Sequence, residues 1–578
     1  MFIKKYSLVL TTVFLLAFAG FFRLYNLNSI PSGFFGDEAA LAYNGLAIWQ
    51  TGMDEWGARL PLTMRSFDDY KPAIYSYLTI PFVATLGLTH AAARYPAALA
   101  GTLLPALVFW LVYGFKKNWW LSFLAGIVII LAPWHWEVSR TAIEAGVALV
   151  MTIGVLLLLK QKSWKAIGLA FLLSLITIFT YHTARLLLPP LILSAWWFKQ
   201  VSQRKAIVWF AIGLLVYGLF LSLTASGSRF KQISIFADRE GLALRLESIR
   251  EDGVSDAPYL ETRAFHNKPM TWARTFTHSY IQQTSPEYLF YGGAQPPRAR
   301  IPETGQFLLM LLPFFILGLV EILRRLNNFD KWIIFWWLIA PLPASLTSAE
   351  IPHSYRTLFL LVPTAIIIAQ GISWSYVFVK KVKIPKLPKN ITKLVAPLFV
   401  LGLVLALSFN TVYAWHEYSV HQAANKPWFR QYGYRELVDY LNALPAESKQ
   451  EIVITQIEME PYIFFLYYNN IPPQTYQAWE EKRISHKALE SGENTWQMFD
   501  YTFVHKGCPY EYQDTNNNNL YVVEKTCELP KGFKRICKIP FNDNSTMFFV
   551  DRPDATAPAI PNSTKVEYPT CLESLENL

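Results

Sequence analysis

Apolar runs long enough to cross a bilayer recur from Ser7 to Tyr413, and no other feature limits the possible folds so strongly. A crossing helix needs about 20 largely apolar residues, because the hydrocarbon core is roughly 30 Å thick. Residues 6–22, 95–114, 119–135, 142–159, 165–181, 185–198, 206–224, 306–323, 331–347, 355–378 and 394–413 are the candidate runs and give eleven expected spans. Inside lipid each backbone N–H must find its acceptor within the segment, so these runs read as helices. Only 16% of the residues are charged, against roughly 25% in soluble domains, which fits a polytopic membrane protein. From residue 414 the chain turns polar. A membrane domain, 1–413, followed by a soluble α/β domain, 414–578, is the expected organisation.

A further apolar run, residues 74–89, decides the orientation. If it does not cross, the basic clusters share one side: Lys4 and Lys5, Lys116 and Lys117, Lys160 with Lys162 and Lys165, Lys199 with Arg204 and Lys205, Arg324 and Arg325 with Lys331, and the stretch from Lys380 to Lys393. If it crosses, every cluster from Lys116 onward changes side, against the Lys/Arg bias of cytoplasmic loops. The run is therefore expected to lie along the membrane or dip into its outer face. The N-terminus is then cytoplasmic, and residues 23–94, 225–305 and 414–578 lie outside the cell membrane. Lys4, Lys5 and an apolar core ending in Ala17-Phe18-Ala19-Gly20 also fit a secretory signal peptide, which would leave the first loop outside just the same. The formal charge of +10 sits in these topogenic clusters, so nucleic acid is not an expected partner.

Within the tail, Tyr434 to Leu444 and Pro461 to Tyr468 carry a helical pattern, whereas Glu451–Gln456, Tyr501–His505, Leu520–Val523 and Thr546–Val550 read as strands. The segment DTNNNN, 514–519, reads as a hairpin turn. All four cysteines, Cys508, Cys527, Cys537 and Cys571, lie here. An extracytoplasmic tail favours disulfides, and three pairings are open. Two Asn-Ser-Thr triplets, Asn544–Thr546 and Asn562–Thr564, are glycan acceptors only in a host with that machinery.

Positive charge should be scarce at the outer ends of the spans, yet Arg94, Arg140, Arg185 and Arg356 stand there, with Lys71 at the start of the shallow run and His182 beside Arg185. Long basic side chains snorkel to lipid headgroups, which explains any one of them. Together on the disfavoured face they also suit a phosphate pocket, Arg as a planar fork and Lys as a point charge. Acids share the face. Asp37 and Glu38, in SGFFGDEAALAYNG, follow the first span, and Glu137 and Glu144 flank the junction of the third and fourth. Asp37 also suits a helix N-cap ahead of Ala39–Trp49, a role that does not exclude catalysis. Glu144 sits just inside a span, where an ionised carboxylate costs about 2.5–3.5 kcal/mol at full depth and less near the interface.

A carboxylate, a basic phosphate pocket and an opening at the outer leaflet suit sugar transfer from a polyprenyl-phosphate carrier. Phosphate leaves readily once cations offset its growing charge, so one carboxylate acting as base on the acceptor is enough. Glycoside hydrolysis, with a poorer leaving group, needs a second carboxylic acid.

The order of motifs resembles the GT-C glycosyltransferases, and more narrowly the branch of protein O-mannosyltransferases and lipid A aminoarabinose transferases. The shared order is an Asp-Glu pair in the first outer loop, the KP of DYKPAIY (69–75), the span start in AARYP (92–96), and Arg140-x-x-x-Glu144 after the third span. The resemblance covers residues 1 to 415 as architecture and implies a lipid-linked donor, most often a polyprenyl monophosphate sugar. By position Asp37 matches the catalytic acid with Glu38 beside it, Lys71 the residue that approaches the donor phosphate, and Glu144 the acid of the second outer loop. Arg185 and Arg356, from YHTARLLLPP and IPHSYRTLFLLVP, are similar to basic residues at later span ends. Lys71-Pro72-Ala73 departs from the pattern, in which a second proline is common.

The expected site is metal-independent, although wider GT-C relatives bind a divalent ion through two acidic loops, and Asp37 with Glu144 would offer Mg²⁺ or Mn²⁺ the oxygen ligands these ions prefer. The resemblance leaves sugar and acceptor open among protein, lipid and glycan. The rival class is a transporter or flippase of lipid-linked sugars. Such proteins often carry internal repeats and broken helices, and no repeat is evident here.

Overall fold

The computed structural model describes all residues except 1, 68, 202–204, 224–232, 238, 382–392, 446–450, 456–460, 486–494, 505–506, 509, 511–518, 555, 558–566 and 576–578. The DTNNNN turn up to residue 518, the Asn562–Thr564 triplet, Arg204 and most of the Lys380–Lys393 stretch lie outside the described residues. Two compact units emerge. One comprises Met1–Leu27, Leu62–Tyr75 and Arg94–Tyr418; the other comprises Asn28–Pro61, Ser76–Ala93 and Ser419–Leu578. The second unit is thus wider than the polar tail, because it takes in most of the loop after the first helix.

Along the chain run α1 (Phe2–Leu24), α2 (Gly36–Thr51), the strands β1 (Thr63–Ser66) and β2 (Asp69–Pro72), α3 (Ile74–Leu86), α4 (His90–Lys116), α5 (Trp119–Leu131), α6 (Pro133–Arg140), α7 (Glu144–Leu159), α8 (Trp164–Ile178), α9 (His182–Trp197) and α10 (Lys205–Leu223). There follow α11 (Arg239–Val254), α12 (Tyr259–Phe265), α13 (Lys268–Thr284), α14 (Leu312–Arg325), α15 (Asn328–Ile339), α16 (Leu361–Lys381) and α17 (Val395–His416). Four helices among the described residues are long and apolar enough to cross a membrane, namely those at Tyr6–Leu24, His90–Lys116, Leu358–Lys381 and Val395–Ala424. Counting the bent pair α5 and α6 as one span makes five. The chain is an integral membrane protein on that footing. Of the other expected spans, 142–159, 165–181 and 206–224 correspond to the shorter apolar helices α7, α8 and α10, whereas 185–198, 306–323 and 331–347 fall on α9, α14 and α15, which do not meet that measure.

Two sequence runs differ in detail from single straight helices. Residues 119–135 break after Leu131, and α6 leaves at 62° to α5. Ala132 is extended, as a residue before proline prefers, and Pro133 opens α6 where its missing N–H costs nothing. Run 74–89 becomes α3, 13 residues with Pro81 inside, or about 20 Å of helix against a core of roughly 30 Å.

In the first unit α16 is central. Its neighbour α14 approaches backbone to backbone, since a Cβ at Gly371 would stand 1.8 Å from the carbonyl oxygen of Phe314, and one at Gly318 would stand 1.9 Å from that of Ile367. Small residues at a helix crossing maximise dispersion contact where lipid supplies no hydrophobic drive.

The second unit is built on a six-stranded sheet. Its helices are α18 (Tyr434–Ala443), α19 (Tyr462–Tyr468), α20 (Pro473–Ser485) and α21 (Cys571–Leu575). Its strands are β3 (Ile452–Thr455), β4 (Thr495–Met498), β5 (Tyr501–Val504), β6 (Leu520–Glu524), β7 (Phe533–Pro540) and β8 (Thr546–Pro553), in the order β4-β5-β3-β6-β8-β7. β3 pairs parallel with both β5 and β6, and all four of its side chains are buried. A continuous apolar strand of this kind belongs in a sheet centre covered on both faces. Disulfides Cys508–Cys527 and Cys537–Cys571 choose one of the three open pairings.

Helix α2 is part of this unit. It packs against α19 and α20, and Tyr43 donates its hydroxyl to the carbonyl of Ile471 at 2.9 Å. A Cβ at Gly45 would lie 2.0 Å from the Thr79 hydroxyl, so glycine lets α2 meet α3.

Candidate functional site

Asp37 and Glu38 occupy the first turn of α2 in the second unit. The N-cap is Phe35, whose side chain makes no capping bond, and the Gly36 N–H is taken by Oε1 of Gln431 at 2.6 Å. Asp37 is therefore one position past Gly36 inside the helix, not its cap. The environment separates the pair: Glu38 is fully buried, while Asp37 is half-buried and reaches solvent. The partial positive charge at a helix N-terminus stabilises carboxylates there.

The other expected residues belong to the first unit and fall into two groups. Arg140 and Arg185 are fully buried and hold helix ends. Arg140, the last residue of α6, donates to the carbonyls of Phe22 at 2.8 Å and Tyr25 at 2.7 Å, where α1 finishes, and lies over the rings of Trp415 and Tyr418. Arg185 donates Nε–H to the carbonyl of Ile178 at 3.0 Å, the last residue of α8. Cations at helix C-termini answer unmade backbone bonds and the helix dipole together. Lys71, His182 and Arg356 are half-buried instead. Lys71 lies on β2, paired with Met64 of β1, and its ammonium stands 4.8 Å from the ring centre of Phe67. His182 opens α9.

Glu144 opens α7 at 9% exposure. Only the non-helical stretch Thr141–Ile143 separates it from Arg140. On the preceding turn Glu137 accepts from the Thr141 hydroxyl at 3.2 Å and from Tyr355 at 3.4 Å, which ties the α6–α7 junction to the loop carrying Arg356. That loop is ordered by charge. Arg356 donates to the carbonyl of Ala349 at 2.5 Å and to Thr347 at 3.2 Å, and Arg298 bonds Glu350 at 2.8 Å. Burial and the positive charge of Arg356 hold His353 down to about 3, so its imidazole is neutral at physiological pH. Nδ1 accepts the Tyr355 N–H at 3.2 Å, leaving the Nε2 proton to face Glu350 at 3.5 Å. Burial opposes ionisation of Glu350, but the His353 hydrogen bond and Arg298 outweigh it and bring the carboxyl down to about 2. The structure thus brings together Glu137, Tyr355 and the Arg298–Glu350–His353–Arg356 cluster, of which sequence reading had singled out only Glu137 and Arg356.

Two further groups went unread. Arg23 is fully buried and donates to the carbonyls of Ile129 and Ile130, both at 3.1 Å, and meets Nδ1 of His135 at 2.6 Å. Its signal was available: a basic residue at the end of the first span, like the others. Asp54-Glu55 in MDEW repeats the Asp-Glu of GDEA within one loop. Glu55 is fully buried and accepts from the Trp56 indole at 3.0 Å and Tyr462 at 3.4 Å. Burial, reinforced by the charge of Asp54, pushes it up to about 8. Asp54 accepts two backbone N–H bonds, from Trp56 at 3.0 Å and Ala58 at 2.8 Å. Among the described residues no three His, Cys, Asp or Glu side chains converge as ligands for one ion.

No family model and no characterised protein sequence matches the chain. Solved structures do. The oligosaccharyltransferase AglB from Archaeoglobus fulgidus, in complex with an inhibitory peptide and a dolichol-phosphate, is 12% identical over 84% of this chain and 69% of its own, with a TM-score of 0.46. ArnT from Cupriavidus metallidurans is 13% identical in the apo state over 96% of this chain and 100% of its own, with a TM-score of 0.46. Bound to undecaprenyl phosphate it gives 12%, 95%, 99% and 0.47. Both are GT-C superfamily proteins, the class that the motif order resembles. Identities and scores this low assign neither family nor activity.

Proposed function

We propose that the protein is an integral-membrane glycosyltransferase that moves a sugar from a polyprenyl-phosphate donor to an acceptor at the outer face of the membrane. The observation that carries this reading is the division of the Asp37-Glu38 pair, one carboxylate sealed in the fold and its neighbour open to solvent at a helix N-terminus. A general base must reach the proton it removes, and of the two only Asp37 is accessible.

In the proposed step the acceptor oxygen or nitrogen attacks the anomeric carbon while the bond from that carbon to the phosphate oxygen breaks. The phosphate leaves with the electron pair, and Asp37 takes the acceptor's proton, so one displacement inverts the anomeric centre. Lys71, His182 and Arg356, the half-buried cations, offset the charge growing on the phosphate. Arg140 and Arg185 add positive potential from the helix ends they hold. Glu38 supports the loop, and Glu144 orients the acceptor side. Eleven spans, a cytoplasmic N-terminus and an extracytoplasmic second unit complete the proposed arrangement, which needs no metal ion.

Membranes containing the wild type should consume a radiolabelled polyprenyl-phosphate sugar. Asp37→Asn should lower turnover by about 10²–10⁴-fold with expression and folding intact, the usual worth of a positioned base. Unchanged turnover in Asp37→Asn would remove Asp37 from the role.

A further inference from the structure

Helix α11 packs the wrong way round for a protein surface in water. Gly241 is buried and Arg245, Ser248 and Asp252 are half-buried, on one side of the helix; this mostly polar side packs towards α13, and Asp252 meets His266, the C-cap of α12, at 3.3 Å. The adjoining stripe Leu242, Leu246 and Ile249 follows i, i+4, i+7 spacing and points away from the protein, with exposures of 43, 55 and 37%. Glu247 and Arg250, paired with each other, share the remaining side with Leu244 and Val254, which are 65 and 81% exposed. The next helix continues the pattern: α12 has no buried residue, and Leu260 is 78% exposed.

Helix α13 ties this region to the rest of the first unit. The Tyr280 hydroxyl donates to the carbonyl of Leu338 at 2.9 Å, in the last turn of α15, an apolar helix that begins beside Lys331 at its other end. Close to that contact Ile281, Leu338 and Leu342 are exposed apolar residues of the kind that lipid covers. The stripe of α11 is therefore tied, through α13, to the end of a 12-residue apolar helix that overlaps the expected span 331–347.

We propose that α11 and α12 lie in the bilayer interface of the leaflet at the Leu338 end of α15, with Leu242, Leu246 and Ile249 inserted among acyl chains and Glu247 and Arg250 in the headgroups. A helix lying in the interface sinks its apolar side about 5–10 Å into the headgroup and acyl boundary. From Gly241 to Phe265 the segment carries three basic residues, Arg245, Arg250 and Arg263, against five acidic ones, Glu247, Glu251, Asp252, Asp256 and Glu261. Attraction to anionic lipid is thus not what holds it; apolar insertion is, and a zwitterionic bilayer suffices. The inference is independent of the catalytic reading.

Nitroxide labels on Leu246→Cys, Ile249→Cys and Glu247→Cys, each in the full chain in phosphatidylcholine nanodiscs, test it by power saturation. No native cysteine is free to take the label. The labels at 246 and 249 should be relaxed several-fold more by oxygen than by a water-soluble nickel complex, with the reverse at 247. Equal access of nickel to all three would place the helix in water. Protection of 246 and 249 from both reagents would mean that protein, such as a second copy of the chain, covers the stripe. Either result overturns the proposal.

Discussion

Glu55 shows what a buried carboxyl does when no cation among the described residues stands beside it. It is enclosed by Trp56, Tyr462, Asn44 and the neighbouring Asp54, and Tyr43 and Tyr77 feel the pair's charge. Its carboxyl is raised from an ordinary 4.5 to about 8. The folded state keeps the proton that the unfolded state gives up, so the stability this group contributes is present below about 4.5 and is lost as pH rises through 8. Thermal unfolding of the second unit, followed by tryptophan fluorescence, should shift down between pH 5 and pH 8. Glu55→Gln keeps the shape without the charge and should flatten that slope, leaving the variant the more stable protein at pH 8. A wild-type curve as flat as the variant's would show that Glu55 does not hold its proton. Sequence made a different use of this loop. GDEA drew attention because it follows a span, while MDEW, with the same dipeptide, did not, and burial that separates the two pairs is a property of packing against α19 and α20 that a local pattern does not encode.

Between elements, the close crossing of α14 and α16 carries a sharp expectation. A methyl at Gly371 would fall 1.8 Å from a backbone oxygen of the other helix, and backbone cannot swing aside as a side-chain tip can. Gly371→Ala should force the helices apart and cost about 1–3 kcal/mol or more, the range for overpacking, seen as a lower yield of monodisperse protein and a lower unfolding temperature in detergent. Gly402→Ala on α17, which meets nothing within 4 Å, is the matched control. Elements with a clean period were legible in advance: the runs read at Glu451–Gln456 and Tyr501–His505 contain β3 and β5, and those at Leu520–Val523 and Thr546–Val550 cover all but the last residue of β6 and the start of β8. β7 was not, and its register says why. Arg535 pairs with Asp551 and Cys537 with Val550, so Ile536 is an inserted bulge residue that breaks the alternation of FKRICKIP. Arg535 is further drawn inward by the buried carboxylate of Asp551, at 2.9 and 3.0 Å, which disguises a core strand as a charged surface one.

At the scale of the molecule, the cations read as a phosphate-binding set prove to be of two kinds, and sequence position alone does not separate them. Arg140 and Arg185 are fully buried and donate to carbonyls at helix ends, while Lys71, His182 and Arg356 stay half-buried, Arg356 donating to a loop carbonyl, that of Ala349. Topology is the premise beneath every role proposed for them, and it can be tested without assuming any chemistry. Both disulfides lie in the second unit and consume all four cysteines, as an oxidising compartment would produce. The proposed topology, drawn from the Lys/Arg bias, expects Lys116 and Lys117 to be cytoplasmic. A cysteine introduced at Thr89, ahead of α4, and one at Lys117, just after it, should therefore react differently with a membrane-impermeant maleimide on intact cells. Thr89→Cys should label at once and Lys117→Cys only after the membrane is opened. The native disulfides leave no thiol background while they remain oxidised. Labelling in the reverse order would put Lys71 and Asp37 on the cytoplasmic side, and an acceptor outside the cell would then be unreachable for the proposed base.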